Sequence, residues 1–152
     1  MSIATQLPPL PADLSAMRAF IDLPLSEAID YCRAHPEEVG DGYGFSKYRL
    51  VVWSLDAALK HASCGIRINL VYPGMTESPL IRDFLRAGGP MARARQEAGA
   101  FDRLTAVFGR SAQAREVAWP VVFLASDAAS YITGARLPVE GGYLTAAELG
   151  RL

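Results

Sequence analysis

Cysteine and histidine are scarce in this 152-residue sequence, which contains two residues of each type. Cys32, Cys64, His35 and His61 show none of the paired spacings that a zinc site requires, so the sequence predicts no metal centre. Isolated cysteines are typical of reduced thiols, and we expect both to be buried in a protein of the cytoplasm. We expect both histidines to lie at the surface or at helix ends.

An excess of charge and long hydrophobic runs are also missing. Acidic and basic residues are interspersed and sum to a net charge of −1, which leaves no basic stripe for nucleic-acid binding. No apolar run approaches the roughly 18 residues that would span a bilayer. The N-terminal segment "MSIATQLPPLPADL" lacks the basic and apolar regions of a signal peptide. Nucleic-acid and membrane partners are therefore not expected.

The composition that remains is ordinary for a globular protein, 51% hydrophobic and 20% charged, and suits one domain with a sizeable core. The apolar pattern predicts short helices over residues 14–21 and 26–35, a polar turn over residues 37–42, and a long helix over residues 44–62. Two short helices are expected within residues 75–110. A later helix, capped by Ser111, should be kinked by Pro120.

Two short β-favouring runs, at residues 66–72 and 135–142, alternate with the predicted helices. Helix–strand alternation of this kind predicts an α/β fold with a parallel sheet. Two strands alone make a marginal sheet, so we expect further strands to come from a missing segment or from a partner.

Tyr43 and Lys47 are four residues apart at the start of the long predicted helix, so their side chains share one helix face. A tyrosine hydroxyl titrates at about pH 10 in water, and a cation a few ångströms away favours the phenolate. Such a pair can exchange protons closer to neutral pH. Taken alone, this common spacing favours the simpler interpretation of an amphipathic surface pair.

The surrounding motifs make the pair more specific. The segments "YGFSK", "GIRINLVYPGMTESP" and "REVAWPVVFLASDAASYITGARLPVEGG" closely resemble the C-terminal half of the short-chain dehydrogenase/reductase family. The resemblance covers residues 41–143 and implies the C-terminal half of a Rossmann-like, doubly wound parallel sheet. Glu140 departs mildly from the family, which more often has Asp before the paired glycines, and Pro120 also departs. The matching positions are Tyr43, Lys47, Asn69, Pro73, Gly74, residues 116–118, residues 123–126, Gly134, Gly141 and Gly142.

The resemblance implies an NAD- or NADP-dependent oxidoreductase that interconverts an alcohol and a ketone. Tyr43 would exchange a proton with the substrate oxygen. Lys47 would favour the ionised tyrosine and hydrogen-bond the nicotinamide ribose. The turn after the first strand would hold the nicotinamide carboxamide, and its residues are Pro73, Gly74, Met75, Thr76 and Ser78.

The family also uses a serine upstream of the tyrosine. The N-terminal "MSIATQ" resembles the end of the strand that carries this serine, so Ser2 would be the catalytic serine that positions the substrate oxygen. The alternative is that Ser2 is a terminal residue without a role. Residues 5–40 would then be a helical insertion, as in the bacterial 3α-hydroxysteroid dehydrogenase/carbonyl reductase subgroup, which this sequence resembles in style.

The sequence lacks the glycine-rich cofactor loop of the family. It therefore looks like a family member without its N-terminal cofactor-binding half, through a shifted start, a split gene or a fragment. We divide this single partial domain into residues 1–4 (end of the serine strand), 5–40 (helical insertion), 41–78 (catalytic helix, strand and Pro-Gly turn), 79–110 (substrate lid) and 111–152 (last helix and strand).

The predicted lid is apolar at Leu80, Ile81, Phe84 and Leu85, which suits a hydrophobic alcohol or ketone such as a steroid or terpenoid. Alternatively, these residues simply pack the lid onto the domain. The absent cofactor loop keeps a second function open, in which the chain is catalytically incompetent and acts as an oligomerisation or interaction module. Half a sheet exposes apolar surface and a strand edge, so we expect a homo-oligomer.

Overall fold

The computed structural model describes residues 10–40, 42–79, 81, 83 and 99–152. They divide into two compact units. The helical unit contains Leu7–Leu70 and Tyr131–Ala135, and the sheet unit contains Val71–Ser130 and Arg136–Leu152.

The described residues of the helical unit form the helices α1 (Ser15–Ile21), α2 (Leu25–Ala34), α3 (Pro36–Val39) and α4 (Tyr43–Ala62). The Asp13 carboxylate accepts the Ser15 N–H at 2.8 Å and so supports the start of α1. Pro36 opens α3, where its fixed φ suits a first helical turn and its missing N–H costs nothing. Lys60 and His61 lie in the last turn of α4, where cations suit the helix dipole.

Aromatic and charged side chains pack the short helices on α4. The rings of Phe20 and Phe45 meet edge to face with their centroids 4.9 Å apart. The buried guanidinium of Arg49 lies over the Phe45 ring at 3.2 Å and pairs with the Glu38 carboxylate at 2.8 Å. Farther along α4, Val51 and several neighbours are buried. The predicted insertion is therefore folded onto the helix that begins at Tyr43.

Within the described part of the chain, β1 (Leu70–Pro73) pairs with β2 (Arg136–Val139) in a sheet. The Leu70 N–H donates to the Ala135 carbonyl at 2.8 Å, and the Gly74 N–H donates to the Val139 carbonyl at 3.0 Å. Residue numbers rise together in these two contacts, so the strands are parallel. Helices alternate with this parallel pair, which confirms the predicted α/β class.

Asn69, which precedes β1, bonds to the residues that precede β2. Its Nδ2 donates to the Ile132 carbonyl, and its Oδ1 accepts the Ala135 N–H, both at 2.9 Å. The Gly134 N–H donates to the Ile68 carbonyl at 2.8 Å. The positive φ of 73° at Gly134 places this turn residue in the left-handed region that glycine adopts without penalty. A single amide side chain thus satisfies one backbone donor and one backbone acceptor of the turn.

The sheet unit adds helices around the strands: α5 (Ala100–Thr105), α6 (Ala114–Ala125), a short 3₁₀ turn (Asp127–Ala129) and α7 (Tyr143–Glu148). Tyr72 of β1 is fully buried, and Leu124 of α6 is buried as well. Gly142 starts α7 with a positive φ of 85°. None of the helices in the described part of the chain combines the length and apolarity that a bilayer crossing requires.

Several local predictions are wrong. Residues 36–39 form α3 rather than part of a polar turn, because Pro36 initiates a helical turn. The first strand is shorter than predicted and begins at Leu70. Gln113, not Ser111, caps α6, since its side chain and that of Glu116 form a reciprocal capping box. Helix α7 was not predicted.

The cysteines and the last long helix also differ from expectation. Cys64 is exposed in the turn after α4, and Cys32 is half-buried, so neither is the buried thiol that was predicted. Helix α6 continues through Pro120 as one element, although that residue lacks an N–H to donate. Most of its apolar face is exposed, with Trp119 at 68% and Val122 at 54%.

Candidate active site

Tyr43 and Lys47 lie together on the first turns of α4. Gly42 precedes the helix in the left-handed conformation, with φ 77°, so the helix begins at Tyr43. The Lys47 Nζ is 5.6 Å from the centre of the Tyr43 ring, within the range of a cation–π contact. Both side chains are half-buried. The predicted spacing thus brings a phenol and an ammonium group to one place.

The backbone after β1 is held by a second partner besides β2. The Ala112 N–H donates to the Met75 carbonyl, and the Glu77 N–H donates to the Ala112 carbonyl, both at 2.8 Å. These two bonds form a parallel bridge between Thr76 and Ala112. In such a bridge, the N–H and C=O of the flanked residue point to the opposite edge of the chain. Thr76 therefore directs one donor and one acceptor away from Ala112.

Two hydroxyl groups flank this backbone pair. The Thr76 Oγ1 donates to the Gly74 carbonyl at 3.1 Å and braces the turn internally. The Ser78 Oγ accepts the Ile81 N–H at 3.2 Å. A hydroxyl oxygen that accepts this bond still carries a proton to donate.

At Gly74 the turn lies close to the chain after β2. A Cβ at this position would lie 2.8 Å from the Glu140 Cα and 2.9 Å from the Glu140 Cβ. Glu140 is fixed in turn, because its carboxylate accepts the Leu144 N–H at 3.1 Å at the start of α7. Glycine is therefore required at position 74 by the contact with Glu140, in addition to its place in the turn that ends the strand.

An ion pair encloses the segment that contains Ala112. Arg110 donates from two nitrogens to the two carboxylate oxygens of Glu116, at 2.7 and 2.8 Å. Glu116 also accepts the Gln113 N–H at 2.8 Å. The Arg110 guanidinium, followed by the Gln113 N–H, lowers the pKa of the Glu116 carboxyl to about 2. The carboxylate is ionised under all ordinary conditions.

Beside this pair, the sheet unit contains an apolar recess of about 160 Å³. Its floor and walls include Met75 and Val139 from the two strand ends, and Leu104 and Phe108 from α5 and the turn after it. Arg110, Ala112 and Glu116 also line it. The recess therefore borders the same backbone that Ala112 holds.

The predicted site residues fall into two groups. Tyr43 and Lys47 belong to the helical unit, whereas residues 73–78 belong to the sheet unit. Ile81 of the predicted lid is half-buried. The remaining predicted positions, Ser2, Leu80, Phe84 and Leu85, lie outside the described residues.

Sequence reasoning missed Arg110 and Ala112 and gave Glu116 only as a motif position. The sequence does contain a signal for Glu116, because Gln113 followed three residues later by glutamate is a variant of the capping-box pattern. Nothing in the sequence pairs Ala112 with Thr76, since that contact joins distant parts of the chain.

A family model described as "Enoyl-(Acyl carrier protein) reductase" matches residues 29–144. Over 101 residues the chain is 41% identical to cis-4-hydroxycyclohexanecarboxylate dehydrogenase of Sinomonas cyclohexanicum, covering 66% of this chain and 36% of that protein. It is 38% identical over 102 residues to cyclohexanol dehydrogenase of Acinetobacter sp. (strain SE19), covering 67% and 36%.

A third relative extends over more of the chain. The 3-alpha-hydroxysteroid dehydrogenase/carbonyl reductase of Comamonas testosteroni is 34% identical over 138 residues, which is 84% of this chain and 51% of that protein. The chain thus spans between about a third and a half of the length of these curated relatives.

Proposed function

This chain belongs to the short-chain dehydrogenase/reductase family, and from that premise we propose that it serves an NAD(P)-dependent oxidoreductase of hydrophobic alcohols and ketones. The names of the three relatives described above refer to a hydroxycyclohexanecarboxylate, to cyclohexanol and to a 3-alpha-hydroxysteroid, and each of these is a cyclic alcohol. That shared chemistry favours a cyclic secondary alcohol, steroid- or terpenoid-like, as the substrate. We also propose a cytoplasmic enzyme, in keeping with the unpaired Cys32 and Cys64.

The observation that carries this proposal is the position of Lys47 over the ring of Tyr43, 5.6 Å from its centre. This contact holds an ammonium group beside the phenol whose hydroxyl would exchange the proton. Tyr43 would therefore donate a proton to a ketone oxygen during reduction and accept it from an alcohol during oxidation. Lys47 would reach past the ring to hydroxyl groups of the nicotinamide ribose.

The turn after β1 fits the nicotinamide group. A carboxamide offers one N–H₂ donor and one C=O acceptor, and Thr76 directs one C=O and one N–H away from Ala112. Ser78 would add a hydroxyl beside that pair, while Pro73, Gly74 and Met75 set the path of the backbone. When bound, the nicotinamide cofactor supplies the hydride acceptor or donor that alcohol–ketone interconversion requires.

The remaining predicted residues complete the proposal. Ser2 would hydrogen-bond the substrate oxygen and hold it near the Tyr43 hydroxyl. Leu80, Ile81, Phe84 and Leu85 would cover the apolar part of the substrate and exclude water.

Replacement of the Tyr43 hydroxyl tests the proposed reaction. Oxidation of cyclohexanol and of a 3α-hydroxysteroid would be followed by the absorbance of the reduced cofactor, with NAD and with NADP. We expect Tyr43→Phe to lower kcat by at least about a hundredfold, the usual contribution of general acid–base catalysis. Tyr131→Phe is the matched control, because it removes the same hydroxyl from a fully exposed side chain. Undiminished turnover by Tyr43→Phe would refute the proposed role.

The exposed apolar face of α6 favours a second candidate, a non-catalytic association module. Trp119, Val122 and Phe123 lie within about one turn of this helix and are all exposed, and exposed apolar surface of this kind marks interaction sites. Calorimetric titration with NADH and NADPH separates the two candidates. Micromolar binding by this chain contradicts the association module, whereas the absence of binding together with stable self-association supports it.

A further inference from the structure

Ala112 is the residue that fixes the backbone on either side of Thr76, and Ala112 itself has no side-chain group with which to be held. Its position depends on the segment from Arg110 to Glu116. The two ends of that segment are joined by the bidentate Arg110–Glu116 pair, at 2.7 and 2.8 Å. The pair therefore closes a short loop with Ala112 inside it.

Each charged group makes a further backbone bond inside this loop. The Arg110 guanidinium also donates to the Ser111 carbonyl at 3.1 Å, and the Glu116 carboxylate also accepts the Gln113 N–H at 2.8 Å. The residues immediately before and after Ala112 are thus both bonded to the ion pair. Charge-assisted bonds of this geometry hold direction as well as distance.

Resting on the proposed function, we propose that Arg110 and Glu116 are positioning residues, which hold Ala112 against Met75 and Glu77 and thereby aim the Thr76 backbone at the nicotinamide carboxamide. Neither side chain touches the reacting atoms. The pair acts through two main-chain bonds, Ala112 N–H to Met75 O and Glu77 N–H to Ala112 O, both 2.8 Å long.

Helix capping alone does not account for this arrangement. The cap of α6 needs only Gln113 and Glu116, which bond each other reciprocally. Arg110 lies outside the helix and adds no capping bond, yet it uses both of its terminal nitrogens on the Glu116 carboxylate. Arg110 instead fixes the distance between the two ends of the segment that contains Ala112.

The helical unit offers a matched control pair. Arg18 binds the Asp56 carboxylate through two nitrogens, at 2.7 and 2.8 Å. The exposed side-chain fractions are 51% and 42% there, against 49% and 39% for Arg110 and Glu116. Arg18→Met therefore removes a bidentate ion pair with the same bond lengths and similar exposure, but one that does not enclose Ala112.

Amide hydrogen exchange in the full 152-residue chain, measured by NMR without cofactor, tests the positioning role. In Arg110→Met and in Glu116→Gln we expect the Glu77 and Ala112 amides to exchange about fivefold faster than in the parent chain. The Gly74 amide, which donates to Val139, should change by less than about twofold. Glu116→Gln retains an oxygen that can accept the Gln113 N–H, so it separates the ion pair from the helix cap.

Arg18→Met should leave the Glu77 and Ala112 amides unchanged. Unaltered exchange at these amides in both test variants overturns the proposal. Equal acceleration at Gly74 also overturns it, because the variants would then act by general destabilisation.

A second measurement separates this inference from the proposed function. The affinities of NADH and of ADP-ribose, which lacks the nicotinamide, are compared in each variant by calorimetry. We expect Arg110→Met to reduce the preference for NADH about fivefold, with ADP-ribose binding unchanged. Faster exchange without any change in this preference refutes the carboxamide role of Thr76. A parent chain that binds neither ligand refutes the proposed function, while the exchange rates still decide the positioning role.

Discussion

Replacing Gly74 with alanine would test the close approach of the turn to the chain after β2. The added Cβ would meet the Glu140 Cα at 2.8 Å, the Glu140 Cβ at 2.9 Å and the Glu140 carbonyl oxygen at 3.3 Å. Carbon atoms in contact normally lie about 3.5–4.0 Å apart, so the two segments must separate by about 1 Å. Because the nearest atom is main chain, no side-chain rotation can relieve the clash.

That separation should weaken the Gly74 N–H bond to the Val139 carbonyl, which is 3.0 Å long. Overpacking of this kind costs about 1–3 kcal/mol, and we expect Gly74→Ala to lower the free energy of unfolding by about 2 kcal/mol. Urea denaturation followed by circular dichroism measures this change. NADH binding should weaken in parallel, since the displaced residues lead directly into Thr76.

Gly65→Ala is an informative comparison for that experiment. A Cβ at Gly65 meets no atom within 4 Å, but its φ is 74°. This variant should cost only the left-handed backbone penalty, about 1 kcal/mol, and should leave the preference for NADH over ADP-ribose unchanged. If the free energy of unfolding of Gly74→Ala lay within about 0.5 kcal/mol of the parent value, Gly74 and Glu140 could not be in such close contact.

Three further predictions concern charge and surface. Arg49→Met should lower the free energy of unfolding by about 2 kcal/mol in urea denaturation, because the buried guanidinium loses its bond to Glu38 and its contact with the Phe45 ring; a loss below about 0.5 kcal/mol would contradict that packing. The ionised form of Glu116 stabilises the fold, and its pKa is lowered to about 2. This contribution is therefore complete above the ordinary glutamate pKa and is lost as pH falls toward 2. As pH is lowered across that range, the melting temperature of Glu116→Gln should fall less steeply than that of the parent chain. Identical pH dependence in the two chains would contradict the lowered pKa of Glu116. The parent chain should sediment as a homo-oligomer, and Val122→Glu, on the exposed α6 face, should shift it toward the monomer; a monomeric parent would refute this expectation.

Features set by neighbouring residues could be predicted from the sequence. Helix α4 and the Tyr43–Lys47 contact follow from spacing along one helix. The helix begins at Tyr43, one residue before its predicted start, and the two side chains lie together on it. The end of β1, one residue after the predicted end at Tyr72, and the helix-end position of His35 follow from equally local chemistry. Local rules succeed here because every partner lies within one or two turns.

Features that depend on distant partners could not be predicted in this way. The bridge from Thr76 to Ala112 joins segments that no periodic pattern relates. The apolar residues of α6 satisfy the pattern of a packed face, yet Trp119 is exposed, because a pattern identifies an apolar face without saying what covers it. Likewise, a cysteine such as Cys64 follows the accessibility of its turn rather than the average burial of its residue type.

The Asn69 contacts have a consequence for the order in which the chain folds. Asn69 and Ala135, which it binds, are 66 positions apart. Closing a loop of that length costs about 4 kcal/mol of chain entropy before the strands can pair. Helix α4 needs no such closure and can form while the rest of the chain is disordered. The parallel strand pair is therefore a late event in folding, and removal of the Asn69 amide should accelerate unfolding far more than it slows refolding.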